Sequence, residues 1–127
     1  MTRLTNEQIA LFEQAIYLPL VIIILERDMV AIKESKIKLT DPYVQLIDVV
    51  LKKIQLQLKE VKSAMQKHNM KLHKLNQDES FTLYAFLFNG YEEHHNYFNP
   101  RIRNKVNDML IQAFTKGLWV NEKSEQT

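Results

Sequence analysis

Seven cations are the residues of this chain with the clearest chemical meaning. Lys52, Lys53, Lys59, Lys67 and Lys74 recur along one segment, and Arg101 and Arg103 stand together further on. Clustered positive charge of this kind is a footprint for phosphate or for an acidic partner. The lysine patch has no arginine and no interleaved aromatic ring, which are the usual readers of bases. Nucleic acid is therefore an alternative partner and not the favoured one, and such binding should be weak and salt-sensitive. The plainer reading is a solvated helix face whose lysine stems shield Val49, Leu56 and Met70. Arg101-Ile102-Arg103-Asn104-Lys105 places cations at a helix start, where they oppose the helix dipole. Either an anionic partner or the nearby Glu92 and Glu93 would relieve that opposition.

Metal and nucleophile chemistry is poorly provided for. Glu92-x-x-His95 matches the half-motif that di-iron helical bundles present twice, but it occurs once in this sequence. Glu26, Asp28 and Glu34 are only loosely placed to complete it, so no metal is expected. A bundle holding a metal or a small apolar ligand near the aromatic residues is kept as a second alternative. The chain has no cysteine, hence no disulfide, thiolate ligand or thiol nucleophile. Two glycines cannot make a glycine-rich phosphate loop. No Ser/His/Asp order stands out. The expectation is a protein that is not an enzyme and needs no cofactor.

These side chains must be positioned by something, and the spacing of apolar residues says what. Val44, Ile47, Leu51, Ile54, Leu58, Val61, Met65, His68, Leu72 and Leu75 follow one another at alternating spacings of three and four. That is the seam of a helix packed lengthwise against another helix. The run begins after Thr40-Asp41-Pro42, a cap followed by a proline that a first helical turn accepts. The spacing predicts one helix from about 42 to 75. At 1.5 Å per residue such a helix spans roughly 51 Å, against roughly 36 Å for a compact domain of this length. It must either break near His68-Asn69 or project and be covered by a second copy of the chain. His68 on that seam reads as a hydrogen-bonded core residue or a register device.

The rest of the chain reads as further helices. Thr5-Asn6-Glu7-Gln8 is a capping box, followed by Ile9, Phe12 and Ile16 on one face. Pro19 should kink this helix or start another. Leu20 to about Lys36 continues as the most buried element. A strand at Val21–Ile24 is discounted because it has no partner of similar quality. Residues 78–98 pose a conflict. Asn89-Gly90 between two apolar runs is a strong hairpin signal. Yet Phe81, Tyr84, Phe88, Tyr91, His95 and Phe98 also recur at helical spacing, and Glu92 to Asn96 are poor strand formers. The helical reading is favoured, with a bend at Gly90. Asn99-Pro100 opens a last helix with Ile102, Val106, Met109, Leu110, Ala113 and Phe114 on its apolar face. Gly117 should end it, with Leu118, Trp119 and Val120 folding back.

Composition bounds the class. The 127 residues fit one domain, expected at 1–120 with a frayed polar tail at 121–127. The net charge of +2 hides a lopsided layout: residues 51–75 carry seven lysines against one glutamate, and each flank carries five basic and seven acidic side chains. Glu7 and Glu13 sit where a signal peptide would be apolar. Leu18 to Leu25 is short of the roughly 20 residues of a spanning helix, so no membrane role is expected. Abundant Ile, Lys and Asn suggest an AT-rich bacterial or phage genome. The whole reading is an all-α bundle of about four to five helices around one long central helix. Its expected role is that of a cytoplasmic, non-catalytic homodimer that binds another macromolecule.

Overall fold

The computed structural model describes residues 4–126, with side chains from Leu4 to Lys116. It is an α+β fold: helix α1 (Asn6–Lys33), helix α2 (Asp41–Lys67), strands β1 (Met70–Gln77), β2 (Phe81–Phe88) and β3 (Tyr91–Phe98), and helix α3 (Asn99–Gln126). The all-α bundle expected from the sequence is therefore corrected to three helices and an antiparallel sheet of order β1-β2-β3.

Helix α1 starts where its capping box predicts. Thr5 accepts from the Gln8 amide, and the Gln8 side chain returns to the Thr5 amide. Pro19 lies inside a continuous helix and does not divide it. This helix, not α2, is the centre of the fold. Phe12, Leu18, Val21 and Leu25 are fully buried on it. Helix α2 runs antiparallel to it, since Met65 meets Ala15 at one end of the pair and Ile47 meets Ile32 at the other. The sheet covers the early part of α1, where the Phe12 ring stacks on Phe86 at 4.4 Å. Helix α3 covers the later part and runs parallel to α1, with Ile102 beside Leu20 and Phe114 beside Ala31.

The expected helix 42–75 is two elements. Asn69 has φ +54°, a left-handed residue just past the helix end that stops α2 at Lys67. The chain then turns into β1, so Leu72 and Leu75 leave the seam for a strand. The earlier seam residues pack inside the chain, where Ile47, Leu51, Ile54, Val61 and Met65 are buried. At 27 residues, α2 spans about 40 Å, only slightly more than a compact domain of this length, so most of the excess length that called for a covering copy is gone. Thr40 makes no side-chain cap bond.

Residues 78–98 form the hairpin, not the favoured helix. Asn89 and Gly90 have φ of +50° and +80°, the pair of positive values that a type I′ turn needs. Asn89 bonds back to Asn69 through backbone and side chain, tying the hairpin turn to the end of α2. The aromatic stripe divides accordingly. Tyr84, Phe88, Tyr91 and His95 fall on the inner face, and Phe81 and Phe98 on the outer one, by the alternation of the strands. Helix α3 continues through Gly117. Leu118, Trp119 and Val120 lie outside the described side chains, as do those of the tail 121–127.

Candidate functional site

A groove of about 790 Å³ opens where α1, α3 and the β1–β2 turn meet. Its floor is apolar, from Leu20, Ile23 and Ile24 of α1 and Ile102, Val106 and Leu110 of α3. Local sequence explains the shape. Leu20, Ile23, Ile24 and Arg27 are one face of α1 at helical spacing, and Ile102, Val106 and Leu110 repeat every four residues on α3. The sheet closes one end with Tyr84, Thr82 and the loop residues Asp78 and Glu79.

That end is held by a small polar network. Thr82, buried among apolar neighbours, donates from its hydroxyl to Asn99 Oδ1 at 2.7 Å. The Asn99 amide group donates to the Asp78 carbonyl at 2.9 Å. Asp78 Oδ1 accepts from the Ser80 and Phe81 amides, each at 2.8 Å, and these bonds hold its carboxyl below the usual range. Asn99 thus joins α3 to the β1–β2 loop.

Two of the seven predicted cations meet at this groove, Lys74 from β1 and Arg103 from α3. They are joined by Arg27, which sequence reasoning did not single out. Its signal was the lone guanidinium of α1, one turn after Ile23 and between Glu26 and Asp28. Lys52, Lys53, Lys59 and Lys67 lie elsewhere, exposed along α2, and Lys52 is paired with Asp48 at 2.9 Å. Arg101 lies close enough to Tyr17 and Tyr97 to act on both electrostatically.

A second polar group lies between the sheet and α1. Tyr97 donates its hydroxyl to Glu13 at 2.8 Å. Burial first, and then this carboxylate, raise the Tyr97 phenol far above its ordinary value. Burial raises Tyr17 and Tyr84 as well. His95 pairs with Glu93 at 2.6 Å and stacks on Phe86 at 4.2 Å. The Glu92-x-x-His95 spacing does not bring its two side chains to one face here, because residues three apart on a strand point to opposite faces. Glu92 pairs with His94 outside, and Glu93 with His95 inside. Among the described residues no three His, Cys, Asp or Glu side chains come together as a metal site would need.

The outer face of the sheet is left partly open among the described residues. Phe81 and Phe98 form a ring pair there with centroids 5.4 Å apart, and they are 42% and 49% exposed. Leu83 and Leu87 extend this face along β2, and Leu75 stands exposed at the bulge of β1. The cross-strand rows are ordered: Lys71-Leu87-Glu92 and His73-Ala85-His94. No run in the sequence marked this surface, since its residues come from three strands.

The arrangement is that of a small α+β domain in which a helical hairpin backs a one-sided antiparallel meander. The chain belongs to the YhjD protein family, which it matches over residues 3–118. It is similar to a Bacillus subtilis (strain 168) protein named Uncharacterized protein YhjD. The two are 46% identical over 110 residues, which cover 87% of this chain and 92% of that protein. No solved structure matches the chain. Among the described residues α1 is long and apolar enough to cross a membrane by length and composition alone. In this fold it is packed between α2, the sheet and α3.

Proposed function

We propose that this protein is a non-catalytic interaction module of the cytoplasm that pairs with a second copy of itself and binds another macromolecule. The observation that carries the pairing is the open sheet face. Aromatic rings left half exposed on a sheet face cost free energy in water until another surface covers them. The charges of this face favour a second copy as the cover. Lys71 lies on one edge and Glu92 on the other, in the same cross-strand row. Two such faces related by a two-fold axis along β2 set each Lys71 against the other copy's Glu92 and stack the Phe81/Phe98 rows. The homodimer expected from an over-long helix thus keeps its place on a different surface, because the α2 seam is internal.

Light scattering during size-exclusion tests this reading. The expected mass is twice the 15.1 kDa of the chain, falling to the single-chain value for Phe98→Asp with helix content unchanged. A wild-type protein that stays monomeric at tens of micromolar concentration would overturn it.

A further inference from the structure

We propose that the groove between α1, α3 and the β1–β2 turn binds a single-chain amphiphile with an anionic head, a fatty carboxylate being the simplest member. This goes beyond the pairing of sheets, which uses the opposite side of the sheet.

Three observations point to this ligand class. First, the floor is apolar and open. Ile23 is 44% exposed, and Leu20, Ile24 and Leu110 are only partly covered. A surface of this kind gains by taking up a hydrocarbon chain. Second, the walls carry cations that the protein does not neutralise. Among the described residues no ion pair includes Arg27, Arg103 or Lys74. Lys74 donates only to the neutral Gln77, at 3.0 Å. A guanidinium presents a planar fork of donors that matches a carboxylate. Third, the two carboxylates of the groove, Asp78 and Glu79, both belong to the β1–β2 loop at one end. Asp78 is turned into its own loop by the Ser80 and Phe81 amides. The helical walls therefore carry only positive charge beside apolar surface. A neutral or cationic chain has no reason to prefer such walls, and an inorganic anion has no use for the floor. An anionic amphiphile uses both.

Isothermal titration of the full chain with octanoate, decanoate and dodecanoate, below their micelle concentrations, tests the proposal. Affinity should rise about three- to fourfold per added methylene, as burial of one methylene predicts. Dodecyltrimethylammonium should bind at least about tenfold more weakly than dodecanoate, from the loss of a charge-assisted contact. Charge reversals Arg27→Glu and Arg103→Glu are made singly and together, with circular dichroism confirming that α1 and α3 remain intact. Both side chains are exposed, so the fold should tolerate them. A loss of about tenfold or more in either single variant or in the double variant supports the site. The proposal is overturned if dodecanoate does not bind at millimolar concentration, or if the cationic amphiphile binds as well. It is equally overturned if dodecanoate affinity is unchanged in the double variant.

Discussion

The contact between Tyr97 and Glu13 crosses 84 positions of sequence to join β3 to α1. It is the clearest case of one side chain holding two layers together. Tyr97→Phe removes the donor and leaves the Glu13 carboxylate without it, so the fold should lose about 1–2 kcal/mol. Urea unfolding followed by circular dichroism measures this. The same residue sets an alkaline limit. Tyr17, Tyr84 and Tyr97 all have phenols raised above the ordinary value of 10.0, with burial as the first cause. A group whose folded pKa is raised gives stability that is present below the unfolded pKa and lost as pH rises through the folded one. Stability should therefore fall above about pH 10, where the unfolded chain releases these protons and the folded chain does not. The tyrosinate absorbance of these three rings should appear together with the loss of helix, and not before it. Ionisation of all five tyrosines near pH 10 with the helices intact would contradict the burial of these three.

At the scale of elements, the turn at Asn89-Gly90 fixes the register of β2 against β3. An added methyl group at Gly90 meets nothing within 4 Å, so the cost of Gly90→Ala is conformational and not steric. A left-handed conformation costs an L-residue about 1–2 kcal/mol. Thermal unfolding should show that loss, whereas a helical Gly90 would have gained from alanine. The α2 seam gives a graded test. Ile54 and Val61 are 6% and 5% exposed, while Leu58, at the middle of the same seam, is only half-buried. Ile54→Ala should cost about 2–5 kcal/mol, and Leu58→Ala measurably less. Equal losses at the two sites would mean that α2 is covered further round than α1 alone can reach.

For the whole molecule, the proposed two-fold pairing places a cation of one copy beside a carboxylate of the other. Carbodiimide coupling should therefore join Lys71 of one copy to Glu92 of its partner, as peptide mass spectrometry of the doubled band would show. Lys71→Glu should weaken the dimer by setting like charges together, and Lys71→Glu with Glu92→Lys should restore it. If the double exchange weakens the dimer further than the single one, the faces meet in another orientation. High salt should weaken the proposed pairing only modestly, because it would bury the exposed rings of Phe81 and Phe98 as well as the charges.

Local chemistry by itself determined the helix starts and much of the core. The Thr5–Gln8 box, the spacing of Ile47, Leu51, Ile54, Val61 and Met65, and the apolar face of Ile102 and Val106 each depend on residues within a few positions of one another. Such patterns survive whatever the rest of the chain does. The hairpin was also present in the sequence as Asn89-Gly90, but a competing period masked it. Aromatic residues three and four apart alternate between the faces of a strand as easily as they line a helix, and Glu92 to Asn96 gave β3 no propensity of its own. Only the tertiary structure decided that conflict. A central strand as apolar as β2 exposes unpaired backbone on both edges. Met70–Gln77 and Tyr91–Phe98 satisfy those edges, and this pairing outweighs the helical continuation of the α2 seam past Asn69. The groove and the open face were invisible for the same reason. Arg27, Lys74 and Arg103 lie far apart in the sequence and reach one groove only when the sheet has folded against α1, and Phe81 and Phe98 meet only through the pairing of β2 with β3.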